Sequence, residues 1–151
     1  MAYVGHAGGG GHFVYSIVGD CANTAARIEG LNKHLHTQLL TSGSAMEGVE
    51  GLLCRFLGEF RFVGKTEPLP ILEVLALEKT ASESQRRLCE DFANAMDELR
   101  LGHWREAGDA FETILLEYPE DGPSRFHSAR CRRHADIPPD EPPWVVNMDA
   151  K

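Results

Sequence analysis

An apolar run that breaks on Gly-Asp and turns at once into a helical pattern constrains this chain most. Phe13-Val14-Tyr15-Ser16-Ile17-Val18 is rich in β-branched and aromatic residues and reads as a strand. Gly19 ends it. Asp20 suits a helix N-terminus, and Ala22, Ala25, Ala26, Ile28 and Leu31 carry a helical pattern behind it. Asn23 and Arg27 are four residues apart and share one helix face just past the strand end. An amide and a guanidinium placed there suit a ribose oxygen and a phosphate, because Arg offers phosphate a fixed fork of donors. The alternative for the same two residues is a solvated helix face with a local hydrogen bond.

The segment Tyr15-Ser16-Ile17-Val18-Gly19-Asp20-Cys21-Ala22-Asn23-Thr24-Ala25-Ala26-Arg27-Ile28-Glu29 resembles the strand–helix signature of class III adenylate/guanylate cyclases. Leu57-Gly58-Glu59-Phe60-Arg61-Phe62-Val63-Gly64-Lys65-Thr66-Glu67-Pro68 resembles the C-terminal hairpin of the same family. The two motifs occur in the family's order and spacing, and the likeness runs to about Ala76. The resemblance implies an α/β sandwich of ferredoxin-like type. It also implies head-to-tail dimerisation, with active sites built from both subunits.

Residue by residue, the resemblance makes Asn23 the group that orients the ribose and Arg27 the group that stabilises charge on the transferring phosphate. Ser16, directly after the strand tyrosine, falls where the family reads the purine. It is closer to the Thr of many bacterial adenylate cyclases than to the Cys of guanylate cyclases, which favours ATP over GTP. The family's triphosphate-binding lysine falls on Val63, a departure, with Lys65 the nearby substitute. The family's two metal-binding aspartates lie upstream of the matched region, and the chain opens Met1-Ala2-Tyr3-Val4-Gly5-His6. Any Mg²⁺ or Mn²⁺ is therefore expected to be held by ligands outside this chain. Phosphoryl transfer of this kind needs such ions to neutralise the triphosphate, so the chain alone is expected to be inactive.

A length of 151 residues suits one ordinary domain or two small ones, and 42% hydrophobic residues supports a packed core. A net charge of −8 excludes nucleic-acid binding through a general basic field, though not a local cationic nucleotide site. Cys21, Cys54, Cys89 and Cys131 are scattered with no CxxC pair and read as reduced thiols of a cytoplasmic chain. No apolar run reaches the ~20 residues needed to cross a bilayer, and the N-terminus lacks the pattern of a signal peptide. The glycines between Gly5 and Gly11 are not followed by the Lys-Ser/Thr of a phosphate-binding loop, so a turn between strands is expected there. His6 and His12 lack the Cys or carboxylate companions of a metal site.

Further on, Gln38-Leu39-Leu40-Thr41 reads as a short strand. Ser42 or Ser44 then caps a helix around residues 45–49. Residues 52–63 read as two strands or one strand bent at Gly58, residues 64–68 as a turn, and residues 69–77 as another strand. Leu88, Phe92, Ala95, Met96 and Leu99 mark one helix. Ala107, Ala110, Phe111, Ile114 and Leu115 mark a second, with Gly102 between them and Pro119 at the end. A third spans residues 122–134. Gly102, Ala107, Phe111 and Pro119 resemble the second half of a tetratricopeptide repeat, although that repeat's first-helix Trp and Tyr positions hold Asp91 and Glu98. A plain helical hairpin capping the sheet is the alternative. Arg125, Arg130, Arg132 and Arg133 read as a solvated helix face. The proline-rich stretch from Ile137 to Val146 reads as extended, either a partner motif or a segment laid over the domain with Trp144 as its anchor.

These readings combine into an α+β chain: residues 1–77 the C-terminal part of a ferredoxin-like class III nucleotidyl cyclase domain, 78–136 a tetratricopeptide-like helical region, and 137–151 a proline-rich tail. The expected partners are ATP, less readily GTP, and an N-terminal cyclase half or dimer mate. The rival reading is a non-catalytic cyclase-like module in which the helical region recruits a protein.

Overall fold

The structure, a computed structural model, describes residues 2–9 and 12–148, with side chains from residue 20 onward. Strands β1 (Ala2–Gly9) and β2 (His12–Gly19) form an antiparallel hairpin in which Gly5 faces Ser16. The turn expected between them falls on residues 10 and 11, outside the described residues. Helix α1 (Asp20–Leu35) follows β2 without a linker. Its Ile28, Leu31 and Leu35 recur at helical spacing and are buried, so they set which face meets the core.

A second sheet has the order β3-β5-β4-β6, from β3 (Leu40–Ser42), β4 (Leu52–Arg61), β5 (Leu69–Leu77) and β6 (Val145–Asn147). It is mixed: β4 and β5 are antiparallel, whereas β6 runs parallel to β4. β4 is one strand with a register shift between Phe56 and Gly58. Gly58 has φ 122°, and a Cβ there would stand 2.9 Å from the Trp144 carbonyl oxygen. Glycine therefore permits both the irregular backbone and the close approach of the C-terminal segment.

In place of the expected helix at 45–49, the chain makes one 3₁₀ turn, Gly43–Met46, with the Ser42 hydroxyl accepting from the Ala45 amide. Gly48 and Gly51 follow with φ 75° and 79°, left-handed conformations that end helical propagation. The strand expected at 38–41 begins two residues later, at Leu40.

Helix α2 (Glu83–Arg100) opens on a capping box between Ser82 and Gln85. Gly102, at φ 79°, makes the turn into α3 (Trp104–Glu117). α4 (Gly122–His134) is capped by Asp121 and carries Pro123 in its first turn. One core joins the layers: Leu31 and Leu35 from α1, Leu57 and Phe60 from β4, Phe92 from α2, Phe111 from α3 and Val146 from β6 are all buried in it. The packing of α4 on α1 is close, since a Cβ at Gly122 would come within 1.8 Å of the Leu35 carbonyl oxygen.

Of the residues read as a solvated basic face on α4, Arg125, Arg132 and Arg133 are exposed, but Arg130 is not. Arg130 turns inward, donating to the carbonyls of Pro143 at 2.7 Å and Val145 at 2.5 Å, and Arg132 pairs with Glu112. The C-terminal segment joins the edge of the sheet as β6 beside β4, with Trp144 half-buried against the core. An α+β chain with a mixed four-stranded sheet and, among the described residues, four α-helices is compatible with a ferredoxin-like fold. No described helix is long and apolar enough to cross a membrane.

Candidate functional site

The first turns of α1 and the loop between β4 and β5 meet in space, although they are about forty residues apart in sequence. Two side-chain contacts join them. The Arg27 guanidinium donates from Nη1 to the Val63 carbonyl, and the Lys65 ammonium donates to the Asp20 carboxylate. The loop is shaped by a turn in which the Lys65 amide donates to the Phe62 carbonyl at 2.9 Å, with Gly64 at φ 76° in its third position. A left-handed third residue is what such a turn demands, and glycine adopts it without strain.

The electrostatics are those of a surface site. The Lys65 side chain is 37% exposed and Asp20 72% exposed. Lys65 holds the Asp20 carboxyl below its usual range, first by its hydrogen bond and then by its charge, with Arg27 adding a smaller effect. Two cationic groups, Arg27 and Lys65, are thus each engaged by an acceptor of the chain itself. A guanidinium fork and an ammonium are both groups that suit phosphate oxygens.

Asn23 is exposed one turn before Arg27 on α1. Ser16 lies in β2 four residues before α1 begins. The purine contact expected of its side chain falls outside the described side chains. Val63, where the resemblance expects a lysine, is half-exposed and enters the site through its carbonyl. Asp20 was expected only to start the helix, and its pairing with Lys65 is the part of the site that local pattern did not reveal.

A groove of about 720 Å³ borders the site at Asp20 and runs along α1, between Asp20, Thr24, Ile28 and Asn32 on one side and Leu39, Ser42 and Leu69 on the other. Neither Asn23 nor Arg27 lines it. Among the described residues, no group of three or more His, Cys, Asp or Glu side chains could hold a metal ion. The Asp20 carboxylate is already matched by Lys65. The described side chains do not fit a metal.

With the geometry in view, the chain can be compared with known proteins. It is 31% identical over 85 residues to adenylate cyclase 1 of Rhizobium meliloti (strain 1021), a match covering 56% of this chain. The chain spans only 13% of that relative's length. No family model matches the chain, and no solved structure does. The likeness supports a relationship to cyclases.

Proposed function

We propose that this chain is the C-terminal part of a class III nucleotidyl cyclase catalytic domain that forms a 3′,5′-cyclic nucleotide and pyrophosphate, cyclic AMP from ATP in preference to the GTP reaction. The observation that carries the reading is the convergence of the two motifs: Arg27 of the strand–helix motif and Lys65 of the hairpin motif meet at one loop. The likeness to an adenylate cyclase lends independent support.

In this reading Asn23 orients the ribose so that its 3′ oxygen attacks the α-phosphate, with pyrophosphate leaving. Arg27 meets the negative charge that grows on that phosphate, where a preorganised donor acts most strongly. Lys65 takes part of the triphosphate charge, and Ser16 contacts the purine. Mg²⁺ or Mn²⁺, if held by carboxylates of an N-terminal cyclase half or a dimer mate, would supply charge neutralisation for the triphosphate. The test is turnover of ATP and GTP by a domain reassembled from this chain and an N-terminal segment carrying both aspartates. Absence of any cyclic product from a folded assembly defeats the reading.

A rival reading has one observation in its favour. Arg27 and Lys65 are both engaged by the chain's own acceptors, as a cyclase-like module without catalytic duty would leave them. There the tetratricopeptide-like α2–α3 hairpin recruits a protein. Nucleotide turnover dependent on Arg27 separates the two.

A further inference from the structure

The loop that carries Lys65 is gripped from two directions, and only one of them is α1. On the other side stands Arg61, the last residue of β4. Its Nε donates to the Thr66 carbonyl at 3.0 Å, inside the loop. Its Nη1 donates to Glu141 Oε1 at 2.5 Å and to Asn147 Oδ1 at 2.8 Å, both in the C-terminal segment. Asn147 Nδ2 in turn donates to Glu141 Oε2 at 3.1 Å, and the Met148 amide donates to the Arg61 carbonyl at 3.0 Å.

That segment is itself firmly seated. Val145 and Val146 are buried, β6 pairs with β4 at Glu59–Arg61, and Arg130 donates to the Pro143 and Val145 carbonyls. The absence of a side chain at Gly58 leaves room for the Trp144 carbonyl, which accepts from the Glu59 amide at 3.0 Å.

We infer that the C-terminal segment is a positioning element for the candidate site: through Arg61 it holds the 62–68 loop where Lys65 meets Asp20 and Val63 meets Arg27. A half-exposed ion pair by itself contributes little. Here its effect is geometric. A guanidinium is a rigid plane, so fixing Nη1 on two acceptors also fixes where Nε points. Glu141 is held below the ordinary carboxylate range by its hydrogen bonds from Arg61 and Asn147, which agrees with a well-formed contact. Release of the segment frees Arg61 to rotate, and the loop loses its second anchor. The consequence for nucleotide handling rests on the function proposed above, whereas the mechanical link does not.

The test uses the full chain carrying Glu141→Gln together with Asn147→Ala, which leaves Val145 and Val146 in the core. Two readouts report the loop without any nucleotide: hydrogen exchange at the Lys65 amide, and titration of the Asp20 carboxyl by NMR. The expected result is roughly tenfold faster exchange at Lys65, a local opening rather than a global one. The Asp20 titration should also move up toward its ordinary value of 3.8. Arg61→Lys should reproduce both changes, because one ammonium cannot span Thr66 O and the two acceptors on the segment. Unchanged readouts in both variants overturn the inference. So does equal acceleration throughout β4 and β5, which would make the segment a general brace. A chain that binds no nucleotide yet shows both local changes keeps this link and loses only the proposed function.

Discussion

Arg55 on β4 and Asp121 at the start of α4 form a two-point ion pair, with Nη1 3.1 Å from Oδ2 and Nη2 2.5 Å from Oδ1. The Arg55 side chain is 3% exposed and that of Asp121 7% exposed. Asp121 also accepts from the Ser124 amide at 3.0 Å, so one carboxylate caps α4 and ties it to the sheet. Glu73 on β5 completes the cluster at 2.7 Å from Arg55. Removing Arg55 strands two buried carboxylates, which costs about 3–5 kcal/mol. Denaturant unfolding of Arg55→Ala should show a loss of that order.

Glu73 should behave in the opposite way. Burial raises its pKa above the ordinary 4.5, outweighing the attraction of Arg55, and Asp121 adds to the rise. A carboxyl whose folded pKa is raised supports the fold below its unfolded pKa and loses that support as pH climbs through the folded value. Glu73→Gln removes this loss while leaving an acceptor for the Arg55 Nε donor. The stability of the variant relative to the native chain should therefore increase as pH rises from about 3 to about 7. A relative stability that falls over that range would show that Glu73 is a net stabilising anion.

His127 is fully buried against Phe92, Phe111 and Phe126. Its Nε2 stands 2.8 Å from the Leu57 carbonyl, which can only accept, so Nε2 carries the proton. Nδ1 has no hydrogen-bond partner among the described residues. Burial first, then the charge of Arg130, pushes its pKa from 6.5 down to about 3. The neutral ring is what the fold accepts. Its contribution is present above pH 6.5 and drains away as pH falls toward about 3, with a slope of up to about 1.4 kcal/mol per pH unit. His127→Leu should be less stable at neutral pH, because Leu57 O loses its donor, yet show a shallower acid slope than the native chain.

Three helix glycines separate close packing from propensity. A Cβ at Gly122 collides with the Leu35 carbonyl at 1.8 Å, one at Gly108 meets Cys131 Cβ at 3.2 Å, and one at Gly30 meets nothing within 4 Å. Gly122→Ala must push α4 off α1 and should cost about 1–3 kcal/mol or more. Gly108→Ala should cost less, since a contact at 3.2 Å is relieved by a far smaller shift between α3 and α4 than one at 1.8 Å. Gly30→Ala should stabilise by about 0.5–1 kcal/mol, because Gly in an open helix interior is unfavourable. The order of thermal midpoints checks all three.

What could be read beforehand was local. Gly19-Asp20 marked the strand-to-helix junction because a strand pattern ends and a helix pattern begins within two residues. The third helix, expected over residues 122–134, is α4 with those bounds. The strand β5 is apolar on both sides of Glu73 and was legible at both ends. β6 was not, since Val145-Val146 is too short to signal a strand and its partner, Glu59–Arg61, is far away in sequence. The contacts of Lys65 with Asp20 and of Arg61 with Glu141 are also long-range pairings between exposed charges, which leave no periodic trace. The short helix expected at 45–49 does not form, because the chain turns left-handed at Gly48 and again at Gly51.

The sharpest prediction concerns Arg27. The chain alone, assayed with ATP and Mg²⁺ or Mn²⁺, should make no cyclic nucleotide. Reassembled with an N-terminal segment that supplies both aspartates, it should turn over ATP more readily than GTP. In the proposed function Arg27, whose Nη1 donates to the Val63 carbonyl in the structure, meets charge that builds up on the phosphate only during the reaction. Its loss should therefore matter little to ground-state binding and much where charge accumulates on the phosphate. Removing one such preorganised donor costs about 3–4 kcal/mol, or roughly a hundredfold to a thousandfold in kcat, with a far smaller change in KM. Asn23→Ala should lower kcat in the same direction by misplacing the ribose oxygen. Ser16→Cys should shift preference toward GTP. Steady-state kinetics with both nucleotides decide the matter, and an Arg27→Ala assembly with undiminished kcat would remove Arg27 from the chemistry.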